Sequence, residues 1–260
     1  MKFTEYRKPL NICMIDAEQP EDVINMVCNA AADGADGFGY QLSLLPEELR
    51  TEETLKSMFR YMGDRPLYVT NYRGHHNKGK SDEELIDGLL FMRRLGADLL
   101  DVMGDQYCKD PIGFTWDETA AGRQIETIEM LHETGAEVLM STHTNRFTSA
   151  DDVIRMAVEQ QRRGADVAKI VTKASNEAEE MENLRIASLL KHELDIPYLF
   201  LAGGSHCKAL RHFGPFFGCC MWLTVPYYAA TSTKPQPLCR AITTLAGCVN
   251  AMPERKFDIK

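Results

Sequence analysis

A (β/α)8 barrel is the fold this sequence predicts, and three observations predict it. Four short segments repeat one another: Gly34-Ala35-Asp36, Gly96-Ala97-Asp98, Gly135-Ala136-Glu137 and Gly164-Ala165-Asp166 each close an amphipathic stretch and open an apolar run. A Gly at a helix C-terminus takes the left-handed conformation that stops the helix, and the small and acidic residues after it turn the chain into a strand. Eight runs rich in Ile, Val, Leu and Met recur between helical stretches, around 10–16, 36–42, 66–72, 98–103, 137–142, 166–171, 197–202 and 218–224. The third observation is length: 260 residues suit eight βα units in one barrel domain spanning 1–260.

The elements follow in order. Leu10-Asn11-Ile12-Cys13-Met14-Ile15-Asp16 reads as a strand that hands over at Pro20 to a helix from Glu21 to Gly34. A strand buried on both faces need not alternate, so its unbroken apolar run is expected. Ser81-Asp82-Glu83-Glu84 before Leu85 and Ser149-Ala150-Asp151-Asp152 before Val153 read as helix starts, with hydroxyl caps and acids that suit the helix dipole. The acidic cluster from Glu177 to Glu182, with Lys173 before it, reads as a solvated helix start. Two loops stand out. Arg73-Gly74-His75-His76-Asn77-Lys78-Gly79-Lys80 is basic within an acidic chain and follows the third strand. The stretch from Pro226 to Pro237 follows the eighth and is long enough to fold over a ligand.

Composition narrows the function. A formal net charge of −9 opposes binding to nucleic acid or to an anionic membrane, which leaves a small soluble ligand. The eight cysteines, at positions 13, 28, 108, 207, 219, 220, 239 and 248, lack the paired spacing of a zinc site and read as reduced, mostly buried thiols outside the site. The N-terminal segment lacks the apolar core of a signal peptide, and no later segment sustains the roughly 18 apolar residues of a membrane span. A cytoplasmic location is the expectation.

Two residues draw attention as chemistry. Lys169 lies inside the run Asp166-Val167-Ala168-Lys169-Ile170-Val171, and His143 follows Val138-Leu139-Met140-Ser141-Thr142. A lysine buried in a strand loses stability as an ammonium, which lowers its pKa from about 10.4, and a neutral amine attacks carbonyl carbon. Taken alone, Lys169 also fits an outward-facing residue or a structural ion pair, and His143 a satisfied core histidine. Together, on neighbouring strands, they define proton abstraction beside a Schiff base.

Ser141-Thr142-His143-Thr144-Asn145 resembles the S-x-H-[DN]-x segment of type I 3-dehydroquinate dehydratases, and Ala165-Asp166-Val167-Ala168-Lys169-Ile170 resembles their A-D-[IV]-x-K-[IL] strand. Arg211-His212-Phe213-Gly214-Pro215-Phe216-Phe217-Gly218 is similar to the family's R-x-x-G-x-x-F-G segment, and Ser232-Thr233-Lys234-Pro235-Gln236 to its S-x-x-x-Q lid. The resemblance implies that Lys169 forms an imine with a ketone substrate, that His143 is general base and acid, and that Arg211 grips the substrate carboxylate. It implies substrate contacts for Ser232 and Gln236, a homodimer, a keto acid partner, and no metal or cofactor.

The chain departs from that pattern on three strands. Gly39 and Gln41 stand where the family carries a Glu and an Arg in an E-x-R arrangement, and Met103 stands where a D-x-E strand carries a Glu that orients the histidine. Asp101 and Asp105 are the carboxylates near Met103 in sequence, and whether His143 has an orienting carboxylate stays open at this point. The arginine at the end of the family's third strand aligns with Asn71, with Arg73 close by. Gln41, Asn71 and Arg73 are therefore expected at the substrate. A class I aldolase-type carbon–carbon lyase and a non-catalytic ligand-binding barrel are the alternatives to a dehydratase acting on 3-dehydroquinate or a related hydroxylated keto acid.

Overall fold

Several helix starts and stops fall where a local signal puts them. In a computed structural model that describes residues 2–248, Pro20 opens α1 (Pro20–Ala32), Ser81 caps α3 (Asp82–Arg94) through a reciprocal capping box with Glu84, and Ser149 caps α5 (Ala150–Arg162). Asn176 caps α6 (Glu177–Glu193), whose acidic first turn faces solvent. The remaining helices are α2 (Glu52–Phe59), α4 (Glu118–Glu133), α7 (Lys208–Phe213) and α8 (Cys239–Cys248). Gly34, Gly96, Gly135 and Gly164 all take positive φ, at 85°, 103°, 80° and 98°, so the four repeats stop their helices as their sequence requires.

The strands are β1 (Leu10–Ile15), β2 (Gly37–Gln41), β3 (Leu67–Thr70), β4 (Leu99–Met103), β5 (Glu137–His143), β6 (Val167–Lys173), β7 (Tyr198–Gly203) and β8 (Met221–Thr224). They are parallel, lie in sheet order β7-β6-β5-β4-β3-β2-β1-β8, and are each followed by a helix, which is the (β/α)8 TIM barrel fold. Three boundaries differ from the sequence expectation. β3 stops at Thr70, β6 runs on to Lys173, and β8 starts only at Met221 because Gly218, at φ 114°, turns the chain before it. The expected 1–260 span includes residue 1 and residues 249–260, which lie outside the described residues, as does the Cys248 side chain.

Contacts within the chain group it into two compact units. The first comprises residues 2–3, 10–101 and 223–248, the second 4–9 and 102–222. In the first, Met14 of β1 pairs with Gly39 of β2, Gly39 with Tyr68 of β3, and Tyr68 with Leu99 of β4. In the second, Ser141 pairs with Lys169 and Lys169 with Leu199. The start of β8 is reached from β7, where the Cys220 amide donates to the Tyr198 carbonyl at 2.8 Å.

The acid of the repeat has a structural task. Asp36 accepts the Asn11 amide at 2.8 Å, Asp98 the Leu67 amide at 2.9 Å and Asp166 the Val138 amide at 2.7 Å. Each acid's own amide returns a bond to the carbonyl of that same residue, at 2.9, 2.8 and 2.8 Å. The amides of Asn11, Leu67 and Val138, at the starts of β1, β3 and β5, each gain this carboxylate acceptor, so each Asp is a two-bond clamp on a strand start. Glu137, the acid of the third repeat, instead accepts the amide and hydroxyl of Thr4.

Candidate active site

Within the second unit, β5 and β6 carry Lys169, which is buried, in register with Ser141, two residues before His143. The side chain of Gln160 on α5 fixes this pair by donating to the Thr142 hydroxyl at 3.0 Å and to the Lys169 carbonyl at 3.1 Å. Thr142 therefore faces the helix. Strand alternation turns Ser141, His143 and Lys169 to the opposite face of the sheet. The β4 to α4 loop packs on the end of β5, where a Cβ on Gly113 would stand 2.8 Å from the His143 carbonyl.

His143 ends β5 as an exposed residue, yet protein atoms crowd its ring. That crowding first, then the positive charges of Lys169 and Arg211, holds its pKa below the usual imidazole value. The imidazole is thus neutral at pH 7 and free to take a proton. Arg211, on α7 and buried, donates from Nε to the Ala202 carbonyl at 2.7 Å. Its Nη1 and Nη2 make no hydrogen bond among the described residues, and although burial pushes its pKa down to about 10 it stays charged at neutral pH. A fixed guanidinium with two free nitrogens is a fork for a carboxylate.

Asp105 lies in the same unit and accepts the Asp110 amide at 3.2 Å, which closes the turn after β4. Met103, which ends β4, is half-buried.

The first unit holds the other expected site residues. Asn71 differs from the expectation. Its amide donates to the Leu85 carbonyl of α3 at 2.8 Å and its carbonyl accepts from Asn77 at 2.7 Å, which turns it to the helix side. Tyr72 is the residue whose parity matches the open face: its hydroxyl, at 2.6 Å, and that of Tyr68 both donate to Asp101. Asp101 is thereby engaged by two tyrosines. Arg73 makes a two-point pair with Asp82, with both contacts at 2.6 Å, and Lys80 reaches Glu47 at 2.8 Å, so these two cations of the basic loop are paired by neighbouring acids. Gln41 is half-buried and donates to the Ser43 hydroxyl at 3.2 Å.

Ser232 and Gln236 are buried in the loop after β8. The Ser232 hydroxyl accepts the Ala229 amide at 2.9 Å, and Gln236 Oε1 is a buried acceptor with no partner among the described residues. Sequence reasoning passed over one further residue. Asp16 follows β1, is only 2% exposed, and has one carboxyl oxygen with no partner. The signal was present in the sequence: an acid closing an otherwise apolar buried run.

Among the described residues no three His, Cys, Asp or Glu side chains gather as a metal site, and no helix is long and apolar enough to cross a membrane. The thiols of Cys13, Cys207, Cys219, Cys220 and Cys239 are buried and unpaired in disulfides, whereas Cys28 and Cys108 are exposed.

The sequence matches the model of the type I 3-dehydroquinase family over residues 12–246. Among solved structures, the 3-dehydroquinate dehydratase of Geobacillus kaustophilus HTA426 superposes with a TM-score of 0.77 at 15% identity, covering 96% of this chain and 100% of that one. The type I 3-dehydroquinate dehydratase of Clostridium difficile, solved with covalently modified comenic acid, gives 0.75 at 17% identity over 93% and 92%. The dehydratase of Enterococcus faecalis gives 0.66 at 18% over 84% and 89%. At such identities these likenesses speak for the fold. No curated protein matches the sequence.

Proposed function

Since the chain belongs to the type I 3-dehydroquinase family, we propose that it is a Schiff-base dehydratase of a hydroxylated keto acid, 3-dehydroquinate or a close relative. The observation that carries this reading is the pair itself: a buried lysine in register with Ser141, two residues before a histidine held neutral first by the protein around its ring and then by the charges of Lys169 and Arg211.

In the proposed reaction the Lys169 amine adds to the substrate ketone and water departs, leaving an iminium. The iminium acidifies the neighbouring carbon, His143 takes that proton, and an enamine forms. The enamine expels the hydroxyl one carbon further on, which leaves as water with the proton that His143 returns. Hydrolysis of the conjugated iminium then frees the product and the amine. Arg211 holds the carboxylate by its two free Nη atoms. Substrate contacts for Ser232 and Gln236, a homodimer and a cytoplasmic location rest on the family likeness.

One observation favours a relative of 3-dehydroquinate. A Cβ at Gly39 would collide with the Met14 sulfur, so Met14 fills the space into which a longer side chain at position 39 would grow. The hydroxyl-facing charge of the family's second strand is absent, and the flexible Met14 side chain lies in its place beside Gly39.

The test is borohydride reduction with 3-dehydroquinate and with related hydroxylated keto acids, followed by peptide mass analysis. The expected result is a reduced adduct on Lys169, absent from Lys169→Ala, with ultraviolet absorbance of the conjugated product when borohydride is left out. An adduct without product would favour the aldolase-type reading, and ligand-induced stabilisation without any adduct would favour a binding barrel.

A further inference from the structure

Trp116, in the loop between β4 and α4, is 42% exposed although the residues on either side of it are fixed. Thr115 is buried, its amide donates to the Gly104 carbonyl at 3.1 Å, and its carbonyl accepts from Nη2 of the buried Arg163 at 2.9 Å. Asp117 caps α4 by accepting the Ala120 amide at 2.8 Å. The indole packs edge-on against the buried Phe114, with ring centres 4.8 Å apart, and the Arg155 guanidinium of α5 stacks 4.5 Å from its centre. An aromatic ring held this firmly presents a preformed apolar surface.

That surface is one wall of a cleft within the second unit, open to solvent and about 350 Å³ in volume. Half-buried Ile112 and buried Met156 add apolar lining. Thr144 and Thr148 also line it, but the Thr148 hydroxyl donates to that of Thr144 at 2.9 Å, and the Thr144 hydroxyl donates to the Arg146 carbonyl at 2.9 Å, so they are satisfied without a ligand. Thr144 comes two residues after Thr142, and its amide continues the ladder to the Val171 carbonyl at 3.0 Å, which keeps it on the helix side of the sheet. The cleft therefore lies on the other side of β5 from the face that carries His143 and Lys169.

Its charged residues are Arg146, Arg155 and Asp152, two cations against one anion. The Asp152 carboxylate is already engaged, accepting the Ser149 hydroxyl at 3.0 Å and meeting Arg155 at 3.4 Å. Arg146 is different. Its carbonyl is held by the Lys173 amide at 3.1 Å and by the Thr144 and Thr172 hydroxyls at 2.9 and 3.1 Å, whereas its side chain makes no hydrogen bond or ion pair among the described residues. A fixed backbone thus carries an unmatched positive charge at the edge of an apolar cleft.

We infer that this cleft binds a small aromatic carboxylate, whose ring packs against Trp116, Ile112 and Met156 and whose carboxylate pairs with Arg146. A monoanion matches the one uncompensated charge. A phosphate dianion would bring its second charge towards Asp152 and has no apolar body for the indole, and a neutral ring would leave Arg146 unmatched. The site is separate from the proposed reaction, and its test needs no turnover.

Phenylacetate, its neutral counterpart phenylacetamide and inorganic phosphate are the probes, followed by tryptophan fluorescence and by titration calorimetry on the full chain. Trp116 is one of two tryptophans, and the other, Trp222, is buried. Phenylacetate is expected to change the fluorescence saturably, and phenylacetamide and phosphate to bind at least about tenfold more weakly. Arg146→Gln leaves the held carbonyl in place and is expected to raise the phenylacetate Kd by at least about tenfold. Trp116→Phe keeps an aromatic wall, so calorimetry should still detect binding while the fluorescence change disappears. Arg211 is the other candidate partner for a carboxylate, and Arg211→Lys is expected to leave the Kd unchanged. Absence of saturable phenylacetate binding, equal affinity for either of the other probes, or equal affinity in Arg146→Gln overturns the inference. A fluorescence change that persists in Trp116→Phe overturns it by placing the ligand near Trp222, and a Kd that rises in Arg211→Lys overturns it by placing the ligand in the proposed active site.

Discussion

His143 and Lys169 divide the proposed chemistry in a way that single substitutions separate. Replacing His143 by Ala is expected to lower kcat by about 10²–10⁴, the usual worth of a general acid–base group, while borohydride still traps the adduct on Lys169. Loss of the adduct in His143→Ala would mean that the histidine helps form the imine rather than deprotonate beside it. The neutral imidazole carries a pH signature as well. With its pKa held below 6.5 by crowding and by the charges of Lys169 and Arg211, the acid limb of kcat that belongs to His143 lies below 6.5. A limb at or above that value, abolished in His143→Gln, would contradict the geometry. Arg211→Lys keeps a charge but loses the fork and the Nε bond to Ala202, so KM is expected to rise about 10- to 100-fold, with kcat the less affected quantity.

At the scale of elements, the strand-start clamps should behave as stability devices alone. Asp98→Ala leaves the Leu67 amide without its acceptor, which costs about 1–2 kcal/mol and lowers Tm by several degrees with kcat unchanged. An unchanged Tm would mean that water replaces the carboxylate at this half-buried position. The same element boundaries show what was legible in the sequence. Strand order, helix caps and the glycine stops are local signals, written in a few adjacent residues, and all eight strands are found where apolar runs put them. The direction of a side chain near a strand end is not local. Asn71 and Tyr72 differ by one position, and one position exchanges the helix side of β3 for the opposite side, which the alignment that favours Asn71 does not register. Asp16 is legible in part: the acid that closes the β1 run stands in the sequence, but its burial with one unpartnered carboxyl oxygen does not.

For the whole molecule, Asp16 makes global stability depend on pH. Its folded pKa, raised to about 6, exceeds the unfolded value of 3.8. The unfolded chain therefore gives up this proton more readily, and the stability tied to the protonated form is complete below about 3.8 and lost as pH rises through about 6. The apo protein should accordingly gain from Asp16→Asn at pH 7.5 by an amount on the order of 2–3 kcal/mol, and by much less at pH 4.5, as read from urea unfolding at the two pH values. A variant equally altered at both would show that the carboxyl ionises freely in the folded chain.

The clamps of Asp36, Asp98 and Asp166 secure the N-terminal ends of their strands, whereas Asp16, Gln41 and His143 stand at the C-terminal ends. Several residues of strand separate the two sets, and among the described residues the side-chain bonds of the clamps go to the strand starts and, for Asp166, to His132. Substitutions at one end and at the other should then add independently in their effects on stability. That independence makes this chain a tolerant host for altered specificity: libraries at the C-terminal ends of the strands can be sampled widely while the acids at the strand starts keep the fold above its threshold. Divergence in this family can follow the same route, changing which substrate is read without rebuilding the scaffold that reads it.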